Sequence, residues 1–322
     1  MTNTFNQQVP VSRVWRATHA IEEKYGQLGG PNSLLAQPIT DVQVCPDGIG
    51  YFRVFQHGSI YWTPRVGAHE VHGAVRDKWE ALGWERSFLG YPTTDETPFT
   101  EGGRVSVFEH GAIYWWPDVG AIALNEVVVH YTGFICFGET DWDQGSTSDE
   151  PYIVLGVVSP TSTPMTQIIM YNGVDAGESV PGLVEMYRGK PNGINISVLV
   201  MEHDENNPDR YKGAMEAAVS ASAAGITAGI AAIPGVGLVM APIAAPFLIA
   251  GVPVVAEELN NVLDLGDDRI GAATLNVTAK QMVVLAARTD NSVERGIGFK
   301  LVTPLLSGAG ASYKVYFGLV PA

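Results

Sequence analysis

Three acidic stretches carry the residues best suited to chemistry. The first, "ETDWDQGSTSDEPYIV", holds Asp141, Asp143, Asp149 and Glu150. The second, "VMEHDENN", holds Glu202 and Asp204. The third, "LDLGDDRIGAATLNV", holds Asp264, Asp267 and Asp268. Each adjoins an apolar run of strand character, which puts the carboxylates at loop tips. Converging carboxylates repel one another unless a cation lies between them. A hard dication takes about six to eight oxygens from flexible loops. The expected cofactor is therefore Ca²⁺, with Asp141, Asp143, Asp149, Glu202, Asp204, Asp267 and Asp268 as ligands. Solvated acidic turns are the other reading these residues leave open.

Other chemistry is sparse. No GxSxG elbow, P-loop, HExxH or kinase-like set occurs. "GAHEVHG" places His69 and His72 on either side of Glu70, but the order suits packing better than zinc. Cys45 and Cys136 form no CxxC, and Cys136 lies in an apolar run, where a thiol is inert. The expectation is a protein that is not an enzyme. The formal charge of −15 sets it against nucleic acid, whose phosphates it would repel. Anionic lipid is disfavoured too, unless a cation bridges the two.

The elements that must position these groups begin with a repeat. "KYGQLGGPNSLLAQPITD" (Lys24–Asp41) matches "KWEALGWERSFLGYPTTD" (Lys78–Asp95) at an offset of 54 residues. "FQHGSIYWTPRVGA" (Phe55–Ala68) matches "FEHGAIYWWPDVGA" (Phe108–Ala121) at an offset of 53. Two copies of one unit are present, at about 20–73 and 74–124. Each reads as a short helix, a Gly/Pro turn and a β-hairpin. In the second copy Val75, Trp79 and Leu82 share a helix face. The hairpin turns at His110-Gly111, where Gly is expected to supply positive φ.

These units resemble LGFP repeats. "FLGYPTTDE" (Phe88–Glu96) carries the motif, and "LLAQPITD" (Leu34–Asp41) carries it in degraded form, with Ala36 where the motif wants Gly. The resemblance covers roughly residues 15–124. It implies a bacterial cell-envelope or secreted protein that binds surface material, glycan or another envelope polymer. Tyr61, Trp62, Trp115 and Trp116 are candidate sugar-stacking rings. They are also candidates for the repeats' own core, because neighbours on a strand face opposite ways.

From residue 125 to 322 the pattern changes to eight or so apolar strands separated by turns, as in a β-sandwich. The acidic loops resemble those of a C2 domain, the calcium-dependent lipid-binding sandwich. Asp143 and Asp149 are six residues apart before "SDEPYIV", which carries one inserted residue, Glu150. Glu202-His203-Asp204 and "DDRIG" (Asp267–Gly271) match the two halves of a later loop. About 60 residues separate these halves here. The fold class expected overall is mainly β with helical additions: tandem helix-plus-hairpin repeats over 1–124, then an antiparallel C2-like sandwich over 125–322 with an Ala/Gly-rich helical hairpin inserted at about 208–262.

That insertion is uncharged from Ala217 to Ala256, and Pro234-Gly235-Val236-Gly237 splits it. Gly225 and Gly229 form a GxxxG row that allows close helix approach in lipid. Two helices of about 18–20 residues would match the bilayer's hydrocarbon thickness. Gly225, Gly229, Ile233, Val239, Phe247 and Leu248 are the candidate membrane residues. The competing reading is a buried hairpin that packs on the sandwich or makes a homo-oligomer. The functional expectation is a calcium-dependent, membrane-active, toxin-like protein whose repeats bind glycan. Its alternative is a non-lytic envelope or adhesion module. "MTNTFNQQVPVSRVW" lacks a basic start and apolar core, so the expected location is secreted or cell-surface by a route without a signal peptide, or cytoplasmic until release.

Overall fold

The computed structural model describes residues 12–139, 149–160, 162–202 and 269–322. The protein is mainly β, and its sheets are antiparallel. It divides into two compact units, Met1–Asn125 and Glu126–Ala322.

The first unit opens with α1 (Arg13–Gln27), whose N-terminus is capped by the Ser12 Oγ accepting from the Trp15 amide at 3.2 Å. Ala17, Ile21 and Tyr25 recur every four residues, so one stripe of α1 is buried. Strands β1 (Gln43–Val44), β2 (Tyr51–Phe55), β3 (Gly58–Thr63) and β4 (Gly67–His72) follow as one sheet in chain order. The second copy repeats the plan with α2 (Gly73–Leu82), β5 (Thr97–Pro98), β6 (Arg104–Phe108), β7 (Gly111–Trp116) and β8 (Gly120–Leu124). Alternation along β3 sends Ile60 and Trp62 to the face packed on α1, and Tyr61 to the face packed with Val75 and Trp79 of α2. Each sheet thus packs on its own helix, and the first sheet also receives the helix of the next copy. The α1 core belongs to the first copy alone, and the core around α2 is shared by both copies.

The hairpin glycines serve a purpose other than the expected positive φ. Neither Gly58 nor Gly111 lies in the left-handed region. Each starts a strand in a crowded place. A Cβ at Gly58 would fall 2.7 Å from the Val71 carbonyl oxygen, and one at Gly111 would fall 3.1 Å from that of Leu124. Close approach of a neighbouring strand selects glycine there.

In the second unit, β10 (Pro151–Ser159), β11 (Ser162–Met170), β13 (Ile194–Glu202) and β14 (Arg269–Val277) form a sheet in the order β11-β10-β13-β14. A second sheet joins β12 (Ser179–Gly189), β9 (Val127–Gly138), β16 (Ala311–Pro321) and β15 (Leu301–Val302) in that order. Phe134 of β9 meets Tyr171 at 4.7 Å, and the Tyr131 and Tyr171 hydroxyls are 2.9 Å apart, so aromatic rings fill the space between the sheets. α3 (Ala279–Ala287) begins with a capping box between Thr278 and Gln281 and packs on β9 and β16. β13 and β14 are paired neighbours, Ile194 opposite Val277. Residues 203–268 therefore connect the two strands of a hairpin.

Candidate functional site

The repeat junction gathers the strongest set of described polar groups. The "TTDE" segment of the second copy, just before β5, lies against the β4 edge of the first. Asp95 accepts from Lys24 Nζ of α1 at 2.8 Å and from the Glu70 amide at 3.1 Å, and the His69 Nδ1 stands 3.4 Å away. The neighbouring Glu96 amide donates to Glu70 Oε1 at 3.0 Å. Glu70 is buried, and its other oxygen accepts from His72 Nδ1 at 2.7 Å. Arg104 Nε closes the set by donating to Glu96 at 2.8 Å. Burial alone would raise the Asp95 carboxyl, but the nearby His69 ring and the hydrogen bonds from Lys24 and the Glu70 amide outweigh it and bring it down to about 2. The hydrogen bond to Glu70 raises the His72 imidazole above its ordinary value, against the effect of burial. This arrangement is a clamp between copies. Among the described residues no group of three or more His, Cys, Asp or Glu is placed to hold a metal ion.

Beside the clamp, the β2–β3 turn of the first copy and the first turn of α2 enclose a cleft of about 360 Å³. Ile39, Val54, Gln56, His57, Arg76 and Asp77 line it. Its wall is firmly built. The Ile39 amide donates to Val54 O at 2.9 Å, and the Val54 amide donates to Thr40 Oγ1 at 3.1 Å. The second copy repeats these bonds from Thr93 to Val107 O and from Val107 to Thr94 Oγ1. Sequence reasoning picked out His69, Glu70 and His72 as packing residues but not their partners Asp95 and Glu96, and it singled out no cleft. The signal for those partners was "PITD" (Pro38–Asp41) recurring as "PTTD" (Pro92–Asp95) at the offset of 54.

Three of the four aromatic candidates are interior. Tyr61 stacks with Phe52 at 5.2 Å and meets Trp79 edge-on at 4.7 Å. Trp62 is buried in the α1 core beside Tyr51. Trp116 is fully buried, with Nε1 donating to Thr100 O at 2.9 Å, and Phe99 packs on it and on Tyr114. Trp115 is half-buried against the α2 core. As platforms for sugar, Tyr61, Trp62 and Trp116 are thus corrected: their rings are core, because both faces of each strand are covered.

Of the acidic candidates, Asp149 and Glu202 come to the same end of neighbouring strands. Glu202 sits opposite Pro151, two residues beyond Asp149. Asp149 is buried, its backbone exchanges hydrogen bonds with Val174, and its Oδ2 accepts from the Tyr313 hydroxyl at 2.7 Å. Asp141, Asp143, Asp204, Asp267 and Asp268 lie outside the described residues, as do the membrane candidates Gly225, Gly229, Ile233, Val239, Phe247 and Leu248. Among the described residues no helix is long and apolar enough to cross a membrane.

The two cysteines are enclosed. Burial, with Glu85 and Asp47 nearby, pushes the Cys45 thiol up to about 12 against the hydrogen bond with Tyr91. Burial likewise raises Cys136, beside Tyr313 and Asp149. Neither can serve as a ready nucleophile.

Against known families, residues 35–87 and 89–129 match the LGFP repeat. No family match supports the C2-like reading of the second unit. No curated protein matches the chain. The chain carries LGFP repeats over residues 35–129, and this suggests a cell-envelope binding module.

Proposed function

We propose that this chain is a cell-envelope protein whose tandem LGFP repeats attach it to envelope glycan. The observation that supports this reading is the pair of matched repeats at 35–87 and 89–129. Two copies that share a core present one rigid surface, and rigidity lowers the ordering cost of binding. We assign no catalytic step to the chain. Purified bacterial cell walls stripped of protein should sediment the full chain at neutral pH, and prior digestion of the wall polysaccharide should release it. A chain that stays in the supernatant with intact walls would remove this reading.

A second activity is favoured by one sequence observation. The 40 uncharged residues from Ala217 to Ala256 fall within the connection between β13 and β14. In this reading the apolar segment enters lipid, and Ca²⁺ at the flanking carboxylates draws the acidic protein to the membrane. Liposome leakage with Ca²⁺ and with chelator tests it. Absence of leakage and of lipid binding in both conditions, with a monodisperse oligomer in detergent-free buffer, would instead favour an oligomerisation element.

A further inference from the structure

We infer that the cleft at the repeat junction is a saccharide site that takes a neutral sugar ring. This rests on the envelope-glycan reading above and names where on the repeats that binding occurs. At about 360 Å³ the cleft is within the size range of small-ligand pockets, roughly 300–1,000 Å³.

Its lining carries both signs of charge. Asp77 supplies acceptors, Arg76 supplies donors, and Gln56 and His57 supply further polar groups. An anion would meet Asp77, and a cation would meet Arg76. A ring of hydroxyls, each able to donate and accept, satisfies both. Ile39 and Val54 give the apolar wall that the C–H face of such a ring needs. Ile39 is 63% exposed, so this wall is open to a ligand.

Two of the polar groups, Arg76 and Gln56, are held before any ligand arrives. Arg76 Nε donates to Ser59 Oγ at 3.2 Å, and its guanidinium lies 5.0 Å over the Trp84 ring. Gln56 Oε1 accepts from the Gln37 amide at 3.1 Å, which fixes the amide plane. Groups already ordered lose less entropy on binding.

The cleft also explains why repetition matters. Its turn comes from the first copy and its helix from the second. The turn of the second copy, Glu109-His110, is followed after β8 by strand β9 instead of a third helix. The described residues therefore build one such cleft per chain, and the expected stoichiometry is one saccharide per chain.

The test uses the full chain with neutral oligosaccharides released by mild acid from purified bacterial cell walls, in a calorimetric titration. Asp77→Ala and Ile39→Ala should each weaken binding about tenfold or more, with an unchanged melting temperature. Phe88→Ala, an exposed apolar residue of the repeats outside the cleft, should bind as the parent does. The fitted stoichiometry should be close to one. If the parent chain sediments with cell walls while both cleft variants bind within twofold of it, the cleft is not the site, though the envelope reading stands. If only an acidic, phosphate-bearing fraction competes, the neutral-sugar assignment is overturned. If the parent does not sediment at all, the failure belongs to the envelope reading itself.

Discussion

Ala36 holds a backbone conformation that its own side chain resists. Its φ is +57°, and the matching position of the second copy is Gly90 at +71°. The first copy departs from its motif at the one position where the turn demands the left-handed region. A non-glycine residue there costs on the order of 1 kcal/mol. Ala36→Gly is therefore expected to stabilise the unit by about 0.5–1 kcal/mol, read as a higher midpoint in urea with an unchanged slope. Trp84 presents the opposite case. It sits at φ +58° where the first copy has Gly30, yet it stacks on Tyr61 and meets Trp79 edge-on. Packing outweighs strain there, so Trp84→Gly should lower stability despite relieving the backbone. The buried thiols give a second check at this scale. Iodoacetamide should leave Cys45 unmodified in the native protein and alkylate it in denaturant. Fast native labelling would contradict the burial that raises its pKa.

Between elements, the clamp predicts a pH dependence. The His72 pKa is raised in the folded state, so protonation favours folding. Its contribution is full below about 6.5 and is lost as pH climbs through the raised folded value. Glu70 and Glu96 favour the charged ring, and Arg104 opposes it. Asp95 behaves in the opposite sense. Its depressed carboxyl contributes above the ordinary value of 3.8, and that contribution is lost as pH falls toward about 2. The clamp is thus strongest from about pH 4 to 6.5. Asp95→Asn should cost about 1–2 kcal/mol at pH 6, after discounting for its partial exposure, and His72→Gln should flatten the loss of stability between pH 6 and 8. Thermal melts across pH measure both. Little of this clamp was legible in the sequence. Asp95 and Glu70 are 25 residues apart, and they meet only because two copies stack in register. The copies themselves were plain from the offsets of 54 and 53. The helix stripe Val75–Trp79 was legible because helical periodicity is local. The facing of Tyr61 and Trp62 was not, because alternation says that they differ in face without saying that both faces are covered. The role of Gly111 was misread for a similar reason: the crowding comes from Leu124, a strand away.

At the scale of the whole molecule, the two copies differ in how they end. The first sheet is covered on its far side by α2 of the next copy. Among the described residues no third repeat helix follows the second sheet in chain order, and Phe99 and Trp116 fill that side with aromatic bulk. Their counterparts in the first copy are Cys45 and Thr63, small residues that leave room for Tyr61 to meet Trp79. The second copy is thus built as a terminus, as end units of repeat arrays commonly are. A chain cut after Asn125 keeps this terminus and both cores. A chain cut after His72 loses α2 and exposes Tyr61 and Val71, and it also loses the Asp95–Lys24 pair. Each large apolar side chain exposed costs roughly 1.5–3 kcal/mol, and a small domain has only about 5–15 kcal/mol to lose. The fragment 12–125 is therefore expected to unfold in one cooperative transition, and the fragment 12–72 to show none. Circular dichroism melts and amide dispersion by NMR distinguish the two outcomes. A cooperative melt from residues 12–72 alone would show that one copy is self-sufficient, and the junction would then be a contact between finished domains instead of the core of one.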